Sequence, residues 1–138
     1  MPIAHFHVPA ATFDAEQERE LLERASATYS RVLDSPIERV RAFLVHYPAS
    51  SIAVGGIVDN DSPAPYFTAI VLAGRSVEQR HELLTALTDD IVDTLGVDVS
   101  GVRGQIIEVS PDNWGIAGRP ASGVRATEIA DRAASATA

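Results

Sequence analysis

Glu78-Gln79-Arg80-His81-Glu82-Leu83-Leu84 matches, at a distance of 62 residues, the stretch Glu16-Gln17-Glu18-Arg19-Glu20-Leu21-Leu22. Extended without a gap, the match aligns Glu16–Gly56 with Glu78–Gly118, and nine of those 41 positions are identical. Ordinary residue usage gives roughly two or three by chance. The identical pairs include Leu33 with Leu95, Val40-Arg41 with Val102-Arg103, and Gly56 with Gly118. One residue inserted near Phe13 also brings Pro2 opposite Pro65. A repeat of fixed period means one supersecondary unit used more than once. The chain reads as a fused duplication.

Each copy reads as strand, helix, strand. Ile3–Val8 and Tyr66–Leu72 are short apolar runs of strand length. Asp14 with Gln17, and Ser76 with Gln79, have capping-box spacing at the two helix starts. Leu83, Leu84, Leu87, Ile91 and Leu95 recur at helical spacing, and Gly96 is placed to end that helix in the left-handed conformation. The first helix carries the weaker stripe Leu21, Leu22, Ala25, Tyr29 and Leu33. Val40–Tyr47 and Val102–Val109 are the returning strands, and 59–63 is a turn-rich linker between the halves. Crossovers of this length favour right-handed units with parallel strands. Two such units predict an α+β fold, with tandem β-α-β repeats in a four-stranded mixed sheet and two helices on one face. The other face is expected to be apolar and bare, so oligomerisation is expected to cover it. Residues 1–123 form one domain on this reading, with repeats at 2–58 and 65–120. The small, polar tail 124–138 is expected to be a partly ordered arm.

Composition narrows the function. The chain has 138 residues, of which 46% are apolar and 22% charged, as in a globular domain. No apolar run reaches the roughly 18 residues of a membrane span, and no basic region with an apolar run opens the chain. A cytoplasmic address is the default expectation. Neither cysteine nor lysine occurs, which excludes disulfides, thiolate chemistry and Schiff-base lysines. A net charge of −8 argues against nucleic acid as a partner. His5 and His7 share a strand face, but no third metal ligand stands out; Asp59-Asn60-Asp61 is better read as a turn than as a calcium loop. No nucleophile elbow for serine hydrolysis is present.

The second half, with Ala73-Gly74-Arg75-Ser76-Val77-Glu78-Gln79, Val102-Arg103 and Asn113-Trp114-Gly115-Ile116-Ala117-Gly118, resembles the tautomerase superfamily, whose small members are the 4-oxalocrotonate tautomerases. The first half, opening Met1-Pro2-Ile3-Ala4 and closing Val54-Gly55-Gly56, looks like the same unit. The fused architecture is similar to the cis-3-chloroacrylic acid dehalogenase group, which forms trimers. The resemblance implies a trimeric, cofactor-independent isomerase acting on a small 2-oxo or enol carboxylate. Its general acid/base is the secondary amine of Pro2, freed by removal of Met1. Pro65 lies in mid-chain, so one site per chain follows.

In the family pattern Arg75 is the arginine that binds a substrate carboxylate; the alternative is a solvent-facing arginine at a helix entry. Arg41 and Arg103 occupy the position from which small tautomerases contribute a second arginine across a subunit boundary; the alternative is an interface ion pair. Trp114 falls where the family has an aromatic pocket wall, or it packs a loop onto the core. Phe13 stands where a second Arg75 would fall and Ile52 where a second Trp114 would, so the first-half pocket has lost its charged anchor. Against the chloroacrylate dehalogenases, Leu72 replaces an arginine and Tyr29 stands at a histidine position, which places both among the substrate-binding candidates. Ile116 or Ala117 falls where those enzymes carry a water-activating glutamate. Hydratase, dehalogenase or decarboxylase chemistry is therefore the second reading, and a non-catalytic trimeric binding module the third.

Overall fold

The computed structural model of the chain describes residues 2–137. Strand β1 (Ile3–Pro9) leads into α1 (Ala15–Leu33) and returns as β2 (Arg41–Tyr47). A short hairpin, β3 (Ala53–Val54) with β4 (Ile57–Val58), closes the first half. The second half repeats the plan with β5 (Tyr66–Leu72), α2 (Val77–Leu95), β6 (Arg103–Val109) and the hairpin β7 (Gly115–Ile116) with β8 (Arg119–Pro120). A turn of helix, α3 (Ala121–Val124), and a longer helix, α4 (Ala126–Thr137), end the chain.

The helix ends follow local chemistry. The Asp14 carboxylate accepts the Gln17 amide, while the Gln17 side chain accepts the Asp14 amide, a reciprocal cap. Ser76 caps α2 through the Gln79 amide, and Gly96 ends it at φ 67°, a conformation that glycine enters without the Cβ penalty.

The four long strands form one sheet in the order β2-β1-β5-β6. Each outer pair is parallel, and β1 meets β5 antiparallel with Phe6 opposite Phe67. That central pairing relates the halves by a pseudo-twofold axis. Its consequences appear in matched contacts: the Arg41 amide donates to the Pro2 carbonyl at 3.0 Å, and the Arg103 amide to the Pro65 carbonyl at 3.1 Å. Near the axis the two helices meet through Thr28, whose hydroxyl donates to the Asp90 carboxylate at 2.6 Å, a pair itself 62 residues apart. Burial pushes the Asp90 carboxyl up; the Thr28 hydrogen bond and Arg24 oppose that shift.

The core lies between the helices and one sheet face, where Ala4, Phe6 and Val8 alternate inward from β1 and Phe67, Ala69 and Val71 from β5. Leu21, Tyr29, Leu83, Leu87 and Ile91 meet them from the helices. Gly104 is required on β6 because a Cβ there would fall 2.2 Å from the Phe67 ring.

Two expectations change. The open face is aromatic and polar rather than simply apolar. His5 stacks on Phe43, while His7 lies between Tyr47 and Tyr66, sharing a 2.7 Å hydrogen bond with the Tyr47 hydroxyl. Tyr66 donates to Gln105 on the same face. The alternation of β1 already carried this signal, since His5 and His7 lie on the face opposite Ala4, Phe6 and Val8. The segment expected as a partly ordered arm contains the helix α4, favoured by its alanine content and held by Arg39 and Glu128. No described helix is long and apolar enough to cross a membrane.

Candidate active site

Pro2 immediately precedes β1 and is buried there, fixed by the bond its carbonyl accepts from Arg41. Leu72 ends β5, and the chain then turns through Gly74 at φ 116°, which leaves Arg75 just before the α2 cap. Pro2, Leu72 and Arg75 line a single cavity of about 480 Å³. The duplicated topology brings them together: β1 and β5 are central neighbours, so the start of one lies beside the end of the other.

Arg75 is half-buried rather than splayed into solvent. One of its guanidinium nitrogens donates to the carbonyl of Leu33, among the last residues of α1, whose carbonyls lack partners within the helix. Burial lowers its pKa to about 10; Arg132 adds like-charge repulsion, and Asp34 and Glu128 act the other way. The side chain is still a cation at neutral pH. A guanidinium that stays charged while sheltered is suited to a two-pronged grip on a carboxylate.

The remaining wall is α4. Its Glu128, Ile129, Asp131 and Arg132 line the cavity, facing Asp34 and Arg39 from the segment between α1 and β2. Glu128 accepts two hydrogen bonds from Arg39, each 2.9 Å long. That contact holds the Glu128 carboxyl below the usual carboxylate range, aided by Arg125 and Arg132. Sequence reading missed Arg39, Glu128 and Arg132. A signal was available in the tail: Arg125, Glu128, Ile129 and Arg132 recur at three- and four-residue spacing, one face of a helix.

Other candidates lie elsewhere. Arg41 is exposed on β2 and Arg103 is exposed on β6, its guanidinium turned back onto the carbonyls of Ser100 and Val102. Neither they nor Trp114 line the cavity of the single chain. Beside Ile52, a separate hollow is lined by His7, Tyr47, Pro63 and Tyr66, with no arginine or carboxylate among the described residues of its wall.

Tyr29 requires correction as a substrate contact. Its ring is fully buried beneath the sheet, and its hydroxyl donates to the Ile70 carbonyl at 2.7 Å while lying 3.3 Å from that of Ile3. The histidine-equivalent position therefore serves the core here. Burial also pushes the phenol well above its ordinary pKa. Tyr29→Phe is expected to lower stability by about 1–2 kcal/mol in urea denaturation, the cost of an unsatisfied buried carbonyl, and to leave KM nearly unchanged. A large rise in KM with wild-type stability would return Tyr29 to the pocket.

The family model described as tautomerase enzyme matches residues 65–122. The 2-hydroxymuconate tautomerase of Pseudomonas putida is 39% identical over 56 residues, which are 41% of this chain and 87% of that protein. The corresponding Comamonas testosteroni protein is 37% identical over 54 residues, covering 39% of this chain and 86% of its own length. Among solved structures, a native fused 4-OT superposes with a TM-score of 0.84 at 29% identity, covering 89% of this chain and 98% of that one. A member of the cis-3-chloroacrylic acid dehalogenase family shares the fold, with a TM-score of 0.78 at 16% identity over 94% of this chain and 99% of that one.

Proposed function

The chain belongs to the tautomerase family and is an isomerase, and we propose that it interconverts the keto and enol forms of a small 2-oxo carboxylate without a cofactor, using the amine of Pro2 as general acid/base. The observation that carries this reading is the placement of Pro2 and Arg75 on one sheltered cavity. Tautomerisation needs a group that takes a proton from one atom next to a carbonyl system and returns it to another. An amine set beside a guanidinium and apolar side chains gives up its proton more readily than one in water, through desolvation and like charge. Arg75 grips the carboxylate and so fixes the reacting carbon relative to the amine. Leu72 and Val71 supply the apolar wall.

Met1 lies outside the described residues, and its removal is part of the proposal. Intact mass is expected to show the chain lighter by one methionine. A panel of phenylenolpyruvate, 2-hydroxymuconate and haloacrylates is expected to give turnover of an enol acid and little of the haloacrylates, because Leu72 replaces the second arginine of the dehalogenases. Turnover confined to haloacrylates would overturn the tautomerase reading.

We take residues 1–123 as the two-repeat domain, and the assembly as a homotrimer in which Arg41, Arg103 and Trp114 reach sites across subunit boundaries. Two of the related fused 4-OT structures are described as trimers, one asymmetric and one symmetric. Phe43, Ile57, Val58 and Tyr66 are exposed on the free chain, which supports a surface that gains from being covered. Sedimentation at micromolar concentration is expected to show three chains together; a stable monomer would remove the cross-subunit roles.

A further inference from the structure

We propose that Glu128 is an internal competitor for an anion site built by Arg39, and that α4 thereby sets how strongly the cavity favours ligands with a second carboxylate. The proposal rests on the reading of Arg75 as the first carboxylate anchor. Three observations point to it. Arg39 and Glu128 meet in the two-pronged geometry by which arginine holds a free carboxylate, with both distances 2.9 Å. The pair lines the same cavity as Pro2 and Arg75 rather than a remote surface. Arg125 and Arg132 line it too, and the buried Nε of Arg125 has no hydrogen-bond partner among the described residues. These cationic groups, which also favour the ionised Glu128, would favour any carboxylate that took its place.

The pair is only partly sheltered, with side-chain exposures of 27% for Arg39 and 47% for Glu128. Even in two-pronged geometry, a pair this open to solvent lies within reach of a competing anion. A ligand anchored at Arg75 by one carboxylate presents its second at high effective concentration, which lets it displace Glu128. A ligand with one carboxylate leaves the pair intact. Glu128 thus acts as a specificity-determining residue, and α4, beyond the residues matched by the family model, carries it.

Calorimetric titration of the full chain with adipate and with hexanoate tests this without requiring turnover, so an inactive protein still answers. Glu128→Gln keeps the size of the side chain and removes its charge. It is expected to raise the ratio of adipate to hexanoate affinity by about 1.5–5-fold, the range of a partly exposed ion pair. In the Glu128→Gln, Arg39→Ala double variant that gain should disappear. Parallel gains for both ligands would mean that α4 merely shields the cavity, and unaltered affinities for both would mean that Arg39 receives no ligand carboxylate; either leaves the ratio where it was and overturns the proposal. Because Glu128 is half-exposed, the variant should fold, and amide exchange across α4 reports whether the helix has left the cavity.

Discussion

Pro2→Ala, in protein whose Met1 is verified to be absent, is expected to lower kcat about 100-fold while leaving the melting temperature close to wild type. General acid/base catalysis by a positioned group contributes on the order of 10²–10⁴. Alanine still offers a primary amine, so the lower end applies. The absence of lysine and cysteine leaves few other nitrogen or sulfur bases to substitute. Unaltered turnover would place the base elsewhere. A variant keeping Met1 ahead of Pro2 is expected to be impaired more severely than Pro2→Ala, because an amide nitrogen holds no basic lone pair. The two losses together would separate the need for an amine from the need for a proline ring.

Arg75→Ala is expected to reduce kcat/KM for carboxylate substrates by a factor of about 30–1,000, equivalent to about 2–4 kcal/mol of transition-state stabilisation. Arg75→Lys should recover only part of this, since lysine restores the charge without the planar pair of donors. The structure adds a second consequence. Arg75 also donates to the Leu33 carbonyl at the end of α1, so the alanine variant should lose about 1 kcal/mol of stability. The magnitudes separate the roles: a helix-end contact alone predicts lower stability with nearly normal kinetics. An ester analogue supplies the control, because it should be a poor substrate for both enzymes. Equal turnover of acid and ester by the wild type would retire Arg75 as the carboxylate anchor.

By itself the sequence determined the duplication, the two capped helices, the strand that opens and the strand that closes each unit, and the left-handed stop at Gly96. All are short-range signals: a cap spans three residues, a helical stripe repeats every three to four, and a strand alternates every two. The equivalences of Pro2 with Pro65 and of Arg41 with Arg103 were legible in the repeat; that the Arg41 and Arg103 amides bond the two proline carbonyls was decided by strand pairing. Tertiary structure alone decided which of these residues face one another. Only the antiparallel meeting of β1 with β5 places Pro2 beside Arg75, residues of different copies, on one cavity. It also covers Tyr29, which had the spacing of a core residue and the position of a substrate contact; packing beneath the sheet allowed only the first. The fourth wall came from farthest away. Arg39 and Glu128 are 89 residues apart, and no periodicity links a turn after α1 to a helix at the end of the chain. Such a contact closes a long loop, and the ordering that requires is supplied by the packing of sheet and helices rather than by local preference.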